Sequence, residues 1–181
     1  MALTLGSSAF ENNGTIPSEY TCDGDRELSP PLSISGAPEG TKSFVLIMDD
    51  PDIPQIAKDK HGIEVFDHWV LYNIPADTTE IPEGSPVGQS GLTTRGAPNY
   101  TGPCPPRFAR SEPTMQIQVG SCTHEPPPPL YEPREHRYIF YLYALSGTLD
   151  FSAPPTAAQV REALAPMLLA ETKLVGRYAR A

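Results

Sequence analysis

Proline is spread along the whole chain, and this feature restricts its possible folds more than any other. The chain has 22 prolines among 181 residues, whereas the usual share is about 5%. Because proline donates no backbone hydrogen bond and breaks helices, it is largely confined to turns, loops and strand edges. Strongly apolar runs separate these prolines. The sequence therefore predicts a folded, mainly β domain with rigid connections rather than a disordered chain.

Five short runs between the turn sequences have the patterns of β-strands. Residues 43–49, 67–74 and 137–145 are apolar and bounded by turn residues, as buried strands are. Residues 31–35 and 114–120 alternate between apolar and polar side chains. These runs predict an antiparallel β core.

Helical patterns occur mainly at the end of the chain. Thr156 is a suitable N-cap for a helix that begins at residue 157, and Pro166 should end or kink that helix. Residues 167–176 then predict a second helix, with Gly176 as its C-terminal cap. Strands followed by helices favour a β core with a helical C-terminus.

The length and charge of the chain exclude several classes of protein. The length suits one domain, and a formal net charge of −9 disfavours binding to nucleic acids or to anionic membranes. No run approaches the roughly 18 continuous apolar residues of a membrane span. The first residues lack the basic and apolar regions of a signal peptide. We therefore expect a cytoplasmic protein, or a periplasmic or secreted one if a leader has been removed.

The three cysteines leave two alternatives open. Cys22, Cys104 and Cys122 include no CxxC pair, which argues against a structural zinc site. Free thiols are expected in a reducing compartment, whereas Cys22 and Cys104 could pair in an oxidising one. Cys104 as a catalytic nucleophile is a minor hypothesis, because a cysteine between prolines is usually structural.

Polar side chains are grouped at or near the ends of three predicted strands. They are Asp49, Asp50 and Asp52; Asp67 and His68; and His136, Arg137 and Tyr138. Each group alone is compatible with a solvated turn or a half-buried histidine. If the strand ends converge at one sheet edge, the histidines, the tyrosine and backbone N–H groups would suit a small anion such as phosphate. A nearby carboxylate would raise the pKa of the histidines and keep them cationic.

Two other chemistries remain open for the same residues. Asp50, Asp52, His68 and His136 are metal-ligand types, but no HxH or HExxH spacing supports a metal site. The alternative to a binding protein is a metal-dependent or acid/base hydrolase of phosphoesters that uses the Asp50–His68 pair. The sequence contains no GxSxG, GxGxxG or GxxxxGK[ST] motif.

Five segments in series carry a resemblance to a known family. "YTCDGD", "KSFVLIMDDPDIP", "DHWVLYNIPADT", "TGPCPP" and "EHRYIFYLYAL" occur in that order. The chain resembles the phosphatidylethanolamine-binding protein family, also called the Raf kinase inhibitor protein family, and most of all its short bacterial and archaeal members. The resemblance covers nearly the whole chain except about residues 107–130. The series DPD, HW, GPxPP and HRY is specific, although each element alone is weak.

This resemblance implies a fold and a site. The fold is an antiparallel β-sandwich, with a large sheet on a smaller one, a C-terminal helix and cis prolines. In this chain, the cis peptide bond would precede Pro51 or Pro54. Residues 1–181 would form one domain with an atypical insertion at about 107–130. The implied cavity lies at one sheet end and binds phosphate-like anions or phospholipid headgroups, while Asp52 shapes its loop. The matching positions are Asp50, Pro54, His68, Gly102, Pro103, His136 and Tyr138.

The resemblance also implies a role. Eukaryotic relatives bind kinases and other signalling proteins, some relatives inhibit serine carboxypeptidases, and several bacterial members are homodimers. We therefore expect a non-enzymatic binding or regulatory protein, with a kinase- or protease-inhibitor-like role. No catalytic residue, metal or cofactor is implied, and the expected partners are a small anion or phosphorylated ligand, a kinase or protease, or a second copy of the chain.

Overall fold

A computed structural model describes residues 2–25, 28–106 and 134–180. The predicted strand at 114–120 and the insertion at about 107–130 lie outside these ranges. Within them, no helix is both long and apolar enough to cross a membrane.

In the described ranges, nine strands form two sheets. The strands are β1 (Thr4–Gly6), β2 (Gly14–Thr15), β3 (Leu32–Ser35), β4 (Ser43–Asp50), β5 (Phe66–Pro75), β6 (Glu80–Ile81), β7 (Gln89–Ser90), β8 (His136–Leu145) and β9 (Leu168–Tyr178). The smaller sheet has the order β1-β3-β6, and the larger has the order β2-β9-β8-β4-β5-β7. Four of the five predicted strands are thus confirmed to within a residue or two at each end. The helices are α1 (Gln55–His61) and α2 (Ala157–Leu164).

The central strand β4 is buried on both faces because each face packs against a different layer. Phe44, Leu46 and Met48 belong to the core shared with the smaller sheet. Val45 and Ile47 lie on the opposite face, in a core shared with α2. Alternate residues of one strand point to opposite faces, so the mainly β sandwich is confirmed, with helix α2 near the C-terminus and strand β9 after it.

The predicted start of α2 is also confirmed. The Thr156 hydroxyl accepts a hydrogen bond from the backbone N–H of Gln159, and the Gln159 side chain accepts one from the backbone N–H of Thr156. This reciprocal pair satisfies two N–H groups that a helix start leaves without intrahelical partners. The α-helix ends at Leu164, and a short 3-10 turn at Ala165–Met167 contains Pro166.

The predicted second helix at 167–176 is wrong, because this segment belongs to strand β9. Its leucine, alanine, glutamate and lysine residues favour a helix locally. Pairing with β8 from His136–Tyr178 to Leu145–Leu168 overrides that preference. Gly176 is therefore not a cap but a strand residue, where an added Cβ would lie 2.5 Å from the Ile16 side chain.

Candidate functional site

Three strand ends that are distant in sequence meet at one edge of the larger sheet. β4 lies between β8 and β5 and runs antiparallel to both, so its last residues lie beside the first residues of its neighbours. Asp50 is in register with Phe66, and Asp49 with Ile139. The predicted convergence of Asp50, His68 and His136 is thereby confirmed.

Asp50 is the centre of this cluster. Its Oδ2 lies 2.6 Å from His136 Nδ1 and 4.0 Å from His68 Nε2. Its Oδ1 accepts a hydrogen bond of 2.9 Å from the backbone N–H of Asp52. All three ionisable side chains are buried, with relative exposures of 3% for Asp50, 5% for His68 and 1% for His136. Asp50 thus orients the His136 ring, whose Nδ1–H donates to the carboxylate.

His68 is held in one tautomer by the neighbouring loop. Its Nδ1 lies 2.7 Å from the carbonyl oxygen of Thr101, which can only accept, so Nδ1 carries the hydrogen. Burial lowers the pKa of His68 to about 4, although the Thr101 carbonyl and Asp50 act in the opposite direction. The expectation that both histidines are cationic is therefore wrong for His68. Near neutral pH its Nε2 is an acceptor.

Two buried polar atoms beside this cluster lack a partner. Within the described ranges, His136 Nε2 and the Tyr138 hydroxyl make no hydrogen bond. The Tyr138 ring is fully buried, and its centroid lies 5.2 Å from that of His68 and 6.3 Å from that of His136. Burial, followed by the charge of Asp50, raises the pKa of Tyr138, so its hydroxyl keeps its proton. Buried polar atoms normally find a partner, so these two indicate a position for a ligand or water.

A cavity of about 190 Å³ opens at this cluster, and we name it the polar pocket. Five of the seven predicted site residues line it: Asp50, Pro54, His68, Gly102 and His136. The other residues around it are Ile53, Ala57, Phe66, Arg95, Thr101, Cys104 and Pro106. Pro103 and Tyr138 are buried but are not among the described lining residues. The roles of all seven residues in binding stay predictions.

The wall formed by Gly102 and Cys104 is fixed to the N-terminal part of the chain. A Cβ on Gly102 would lie 2.9 Å from the backbone carbon of Thr21, which explains the glycine. The backbone N–H of Cys22 donates to the Pro103 carbonyl, and Cys22 forms a disulfide with Cys104. The sequence left free thiols and a Cys22–Cys104 pair as alternatives, and the structure has the disulfide. The minor hypothesis of a Cys104 nucleophile is wrong for this state, because its sulfur is not a free thiol.

The aspartates beside Asp50 have other contacts. Asp49 lies on the opposite face of β4 and accepts a hydrogen bond of 2.7 Å from Arg161 of α2. Burial raises the pKa of Asp49 to about 6, even though Arg161 opposes the change. Asp52 accepts hydrogen bonds from the backbone N–H and the guanidinium of Arg137. The side-chain hydrogen bond from Arg137 lowers the pKa of Asp52, and this contact fixes the loop after β4.

Among the described lining residues that were not predicted as site residues, Arg95 is the one with a permanent charge. Its exposed side chain lines the polar pocket, and its charge acts on His68. Within the described ranges, Arg95 forms no ion pair with a carboxylate. The available signal was a lone basic residue in the turn sequence "TTRGAP", between the HW and GPxPP segments. A surface arginine in a turn is common, so this signal is weak.

The same ranges contain no group of three or more histidine, cysteine, aspartate or glutamate residues arranged to hold a metal ion. Asp52, one of the four candidate metal ligands named from the sequence, instead forms an ion pair with Arg137.

The fold and the edge pocket define a class: a two-sheet β-sandwich with a small cavity at the end of its larger sheet, lined in part by a buried cluster of one aspartate and two histidines. Residues 6–112 and 114–179 match the family model described as phosphatidylethanolamine-binding protein. The chain belongs to this family, as its motifs predicted.

Relatives and solved structures agree with this assignment. A UPF0098 protein from Methanothermobacter thermautotrophicus is 37% identical, and the match covers 98% of this chain and 99% of the relative. The crystal structure of a phosphatidylethanolamine-binding protein homologue from Chlamydia trachomatis has a TM-score of 0.80 and 32% identity, with 99% of each chain covered. YbcL from Escherichia coli, described as a member of the mammalian family, has a TM-score of 0.75. That match covers 100% of both chains at 23% identity, so it supports the fold alone.

Proposed function

We propose that this protein is a non-enzymatic binding and regulatory protein that recognises a small anion, phosphate or a phospholipid headgroup, in the polar pocket. The observation that carries the proposal is the buried, unpartnered Nε2 of His136, a residue that lines the polar pocket beside the Asp50 carboxylate. An anionic oxygen at this position can accept a hydrogen bond from Nε2 when the His136 ring is in its imidazolium form, and this would remove the cost of leaving the buried nitrogen without a partner.

The charges of the pocket make such binding dependent on protons. His68 is neutral near pH 7, and Asp50 supplies acceptor oxygens, so an empty pocket offers few donors to an anion. An anion that approaches His68 would raise its pKa, because an opposite charge favours the imidazolium form. Arg95 at the lining adds a permanent positive charge. Binding is then accompanied by proton uptake and tightens as the pH falls.

Histidine NMR during titration with inorganic phosphate tests this proposal. The ring signals of His68 and His136 should shift at millimolar phosphate, while chloride at matched ionic strength should leave them unchanged. The His136→Gln variant should bind phosphate at least tenfold more weakly, since losing one charge-assisted hydrogen bond costs about 1.5–3 kcal/mol. The His61→Gln variant, which replaces an exposed histidine outside the polar pocket, should bind normally. Absence of a shift at both pocket histidines up to millimolar phosphate would refute the site.

One specific observation favours the hydrolase alternative. Asp50 orients His136 at 2.6 Å and leaves His136 Nε2 unpartnered, which is the geometry of an oriented general base. Steady turnover of a panel of phosphoesters, abolished in His136→Gln, would establish this alternative. Phosphate binding without turnover, and without stoichiometric metal by elemental analysis, would favour the binding protein.

The kinase- or protease-inhibitor-like role and the homodimer are proposed from the resemblance alone. If inhibition acts through the protein surface, His68→Ala should leave it intact, whereas a pocket-dependent mechanism should lose it. Sedimentation analysis of the purified chain tests the dimer.

The Cys22–Cys104 disulfide supports an oxidising compartment for the working protein, because such bonds are rare where glutathione keeps thiols reduced. Thiol counting on protein alkylated inside cells tests this. Two alkylated thiols at Cys22 and Cys104 would favour the cytoplasmic expectation.

A further inference from the structure

A second cavity, of about 470 Å³, lies beside the polar pocket, and we name it the apolar annex. Four apolar side chains line it: Ile53, Ala57, Ile63 and Phe66. Each of them is half-buried, so these side chains are partly open to solvent. His61, Thr94 and Arg95 complete the described lining. The annex contains none of the Asp50, His68 and His136 cluster, and its chemistry therefore differs from that of the polar pocket.

The two cavities are contiguous. Ile53, Ala57, Phe66 and Arg95 line both of them. Phe66 also packs against His68 with their ring centroids 4.6 Å apart, so one aromatic ring forms a wall between the histidine and the annex. A molecule with its anionic group at His68 and His136 can therefore extend past Phe66 and Arg95 into the annex.

We propose that the annex binds a compact apolar substituent carried by the anion in the polar pocket. The ligand class is then a phosphate monoester of an aromatic or short aliphatic alcohol. This inference rests on the proposed function, and it adds the part of the ligand that provides selectivity. Arg95 lies at the junction, where its guanidinium can contact the outer phosphate oxygens while its methylene groups contact the substituent.

The size of the site favours a small molecule. Pockets for drug-sized ligands typically have about 300–1,000 Å³, and the annex and the polar pocket have about 470 and 190 Å³. The charge pattern agrees, because Arg95 lies between the cavity lined by Asp50, His68 and His136 and a cavity whose described lining contains no carboxylate. A free inorganic anion would fill only the polar pocket and would leave the apolar side chains of the annex exposed to water.

Calorimetric titration with phosphate, phenyl phosphate and hexyl phosphate tests the inference. Both esters should bind about tenfold more tightly than inorganic phosphate, since even partial burial of a phenyl or hexyl group contributes at roughly 25 cal/mol per Å². The two esters separate an aromatic substituent from an aliphatic, lipid-like one. A gain for either supports the annex, and the larger gain identifies the substituent.

Two matched variants test whether the tighter binding of the esters comes from the annex. Ile63→Trp fills the annex without touching the polar pocket, because Ile63 lines only the former. It should bind inorganic phosphate like the wild type but lose the roughly tenfold preference for the esters. Ile56→Trp makes the same change on α1 at a residue that is 46% exposed and lines neither cavity. It should retain the preference.

Methyl NMR of Ile63 gives a second readout that does not depend on the variants. Phenyl phosphate should shift the Ile63 methyl signals by ring current, and inorganic phosphate should not. If phosphate binds but neither ester binds more tightly, the annex inference is overturned and the proposed function stands. If the Ile63→Trp variant keeps the preference, the annex is not the location and the inference also fails. If neither phosphate nor the esters bind, the proposed function and the inference fail together.

Discussion

His68 makes the fold sensitive to acid in a way that can be calculated from its burial. The side chain is 5% exposed, and burial lowers its pKa from 6.5 to about 4. The difference between these values, converted at 1.36 kcal/mol per pH unit, corresponds to about 3 kcal/mol. This amount is a large fraction of the 5–15 kcal/mol by which a typical domain is stable.

The direction of the effect follows from which state binds the proton. Below pH 6.5 the unfolded chain protonates His68, whereas the folded chain does so only near pH 4. The unfolded state therefore binds more protons across this interval, and the free energy of unfolding decreases as the pH falls. The loss starts near pH 6.5 and is complete below about pH 4.

Asp49 acts in the opposite direction in an overlapping interval. Its pKa is raised from 3.8 to about 6 in the fold, so its protonation stabilises the folded state as the pH falls through 6. The free energy of unfolding of the wild type can therefore change little with pH, although both groups titrate. A comparison with His68→Gln, which retains an N–H donor for the Thr101 carbonyl and does not titrate, isolates the histidine.

Urea unfolding at pH 7 and pH 4.5 provides the measurement. Between these pH values, wild type should lose about 2–3 kcal/mol more of its free energy of unfolding than His68→Gln. His61→Gln, at an exposed histidine, should follow the wild type. Equal pH dependence in His68→Gln and wild type would show that burial does not keep His68 neutral, and the proton-coupled binding proposed above would lose its basis.

Three further predictions concern the groups that support the site. Gly102→Ala places a Cβ 2.9 Å from the backbone of Thr21, so thermal unfolding should show a destabilisation of about 1–3 kcal/mol; an unchanged melting temperature would contradict this packing. Replacing Cys22 and Cys104 together by serine removes a disulfide between residues 82 positions apart. The free energy of unfolding in urea should fall by about 2–4 kcal/mol. A wild-type curve that does not change on adding reductant would count against that bond. In the Asp49→Asn variant, the gain in free energy of unfolding that Asp49 gives the wild type between pH 6 and pH 4 should be absent. The contribution of Asp49 is complete below its unfolded pKa of 3.8 and is lost above about pH 6.

Much of the sheet and the location of the site could be predicted from sequence. The strands β4, β5 and β8 are short apolar runs bounded by turn residues, and such runs predict strands well when both faces of the sheet are buried. In an antiparallel sheet, polar residues at the end of one strand lie beside those at the start of its neighbours. The convergence of Asp50, His68 and His136 follows from that topology, and the family motifs add the GPxPP wall.

The rest depended on tertiary contacts that local patterns do not contain. β9 has helix-favouring residues, and only its pairing with β8 makes it a strand. The charge of His68 depends on how deeply it is buried, since a carboxylate 4.0 Å away would by itself have favoured the cation. The apolar annex and Arg95 could not be inferred either, because α1, the turn at Thr94 and the start of β5 come together only in the folded chain.

The adjacent residues Asp49 and Asp50 show how one strand can serve both the fold and the site. Strand alternation places them on opposite faces of the larger sheet. Asp49 faces α2 and is held by Arg161, while Asp50 faces the other side and orients His136. A shift of β4 by one residue would exchange the two carboxylates and also exchange its two apolar faces. Because that exchange would disrupt both cores, the packing of Phe44, Leu46 and Met48 fixes which aspartate reaches the pocket.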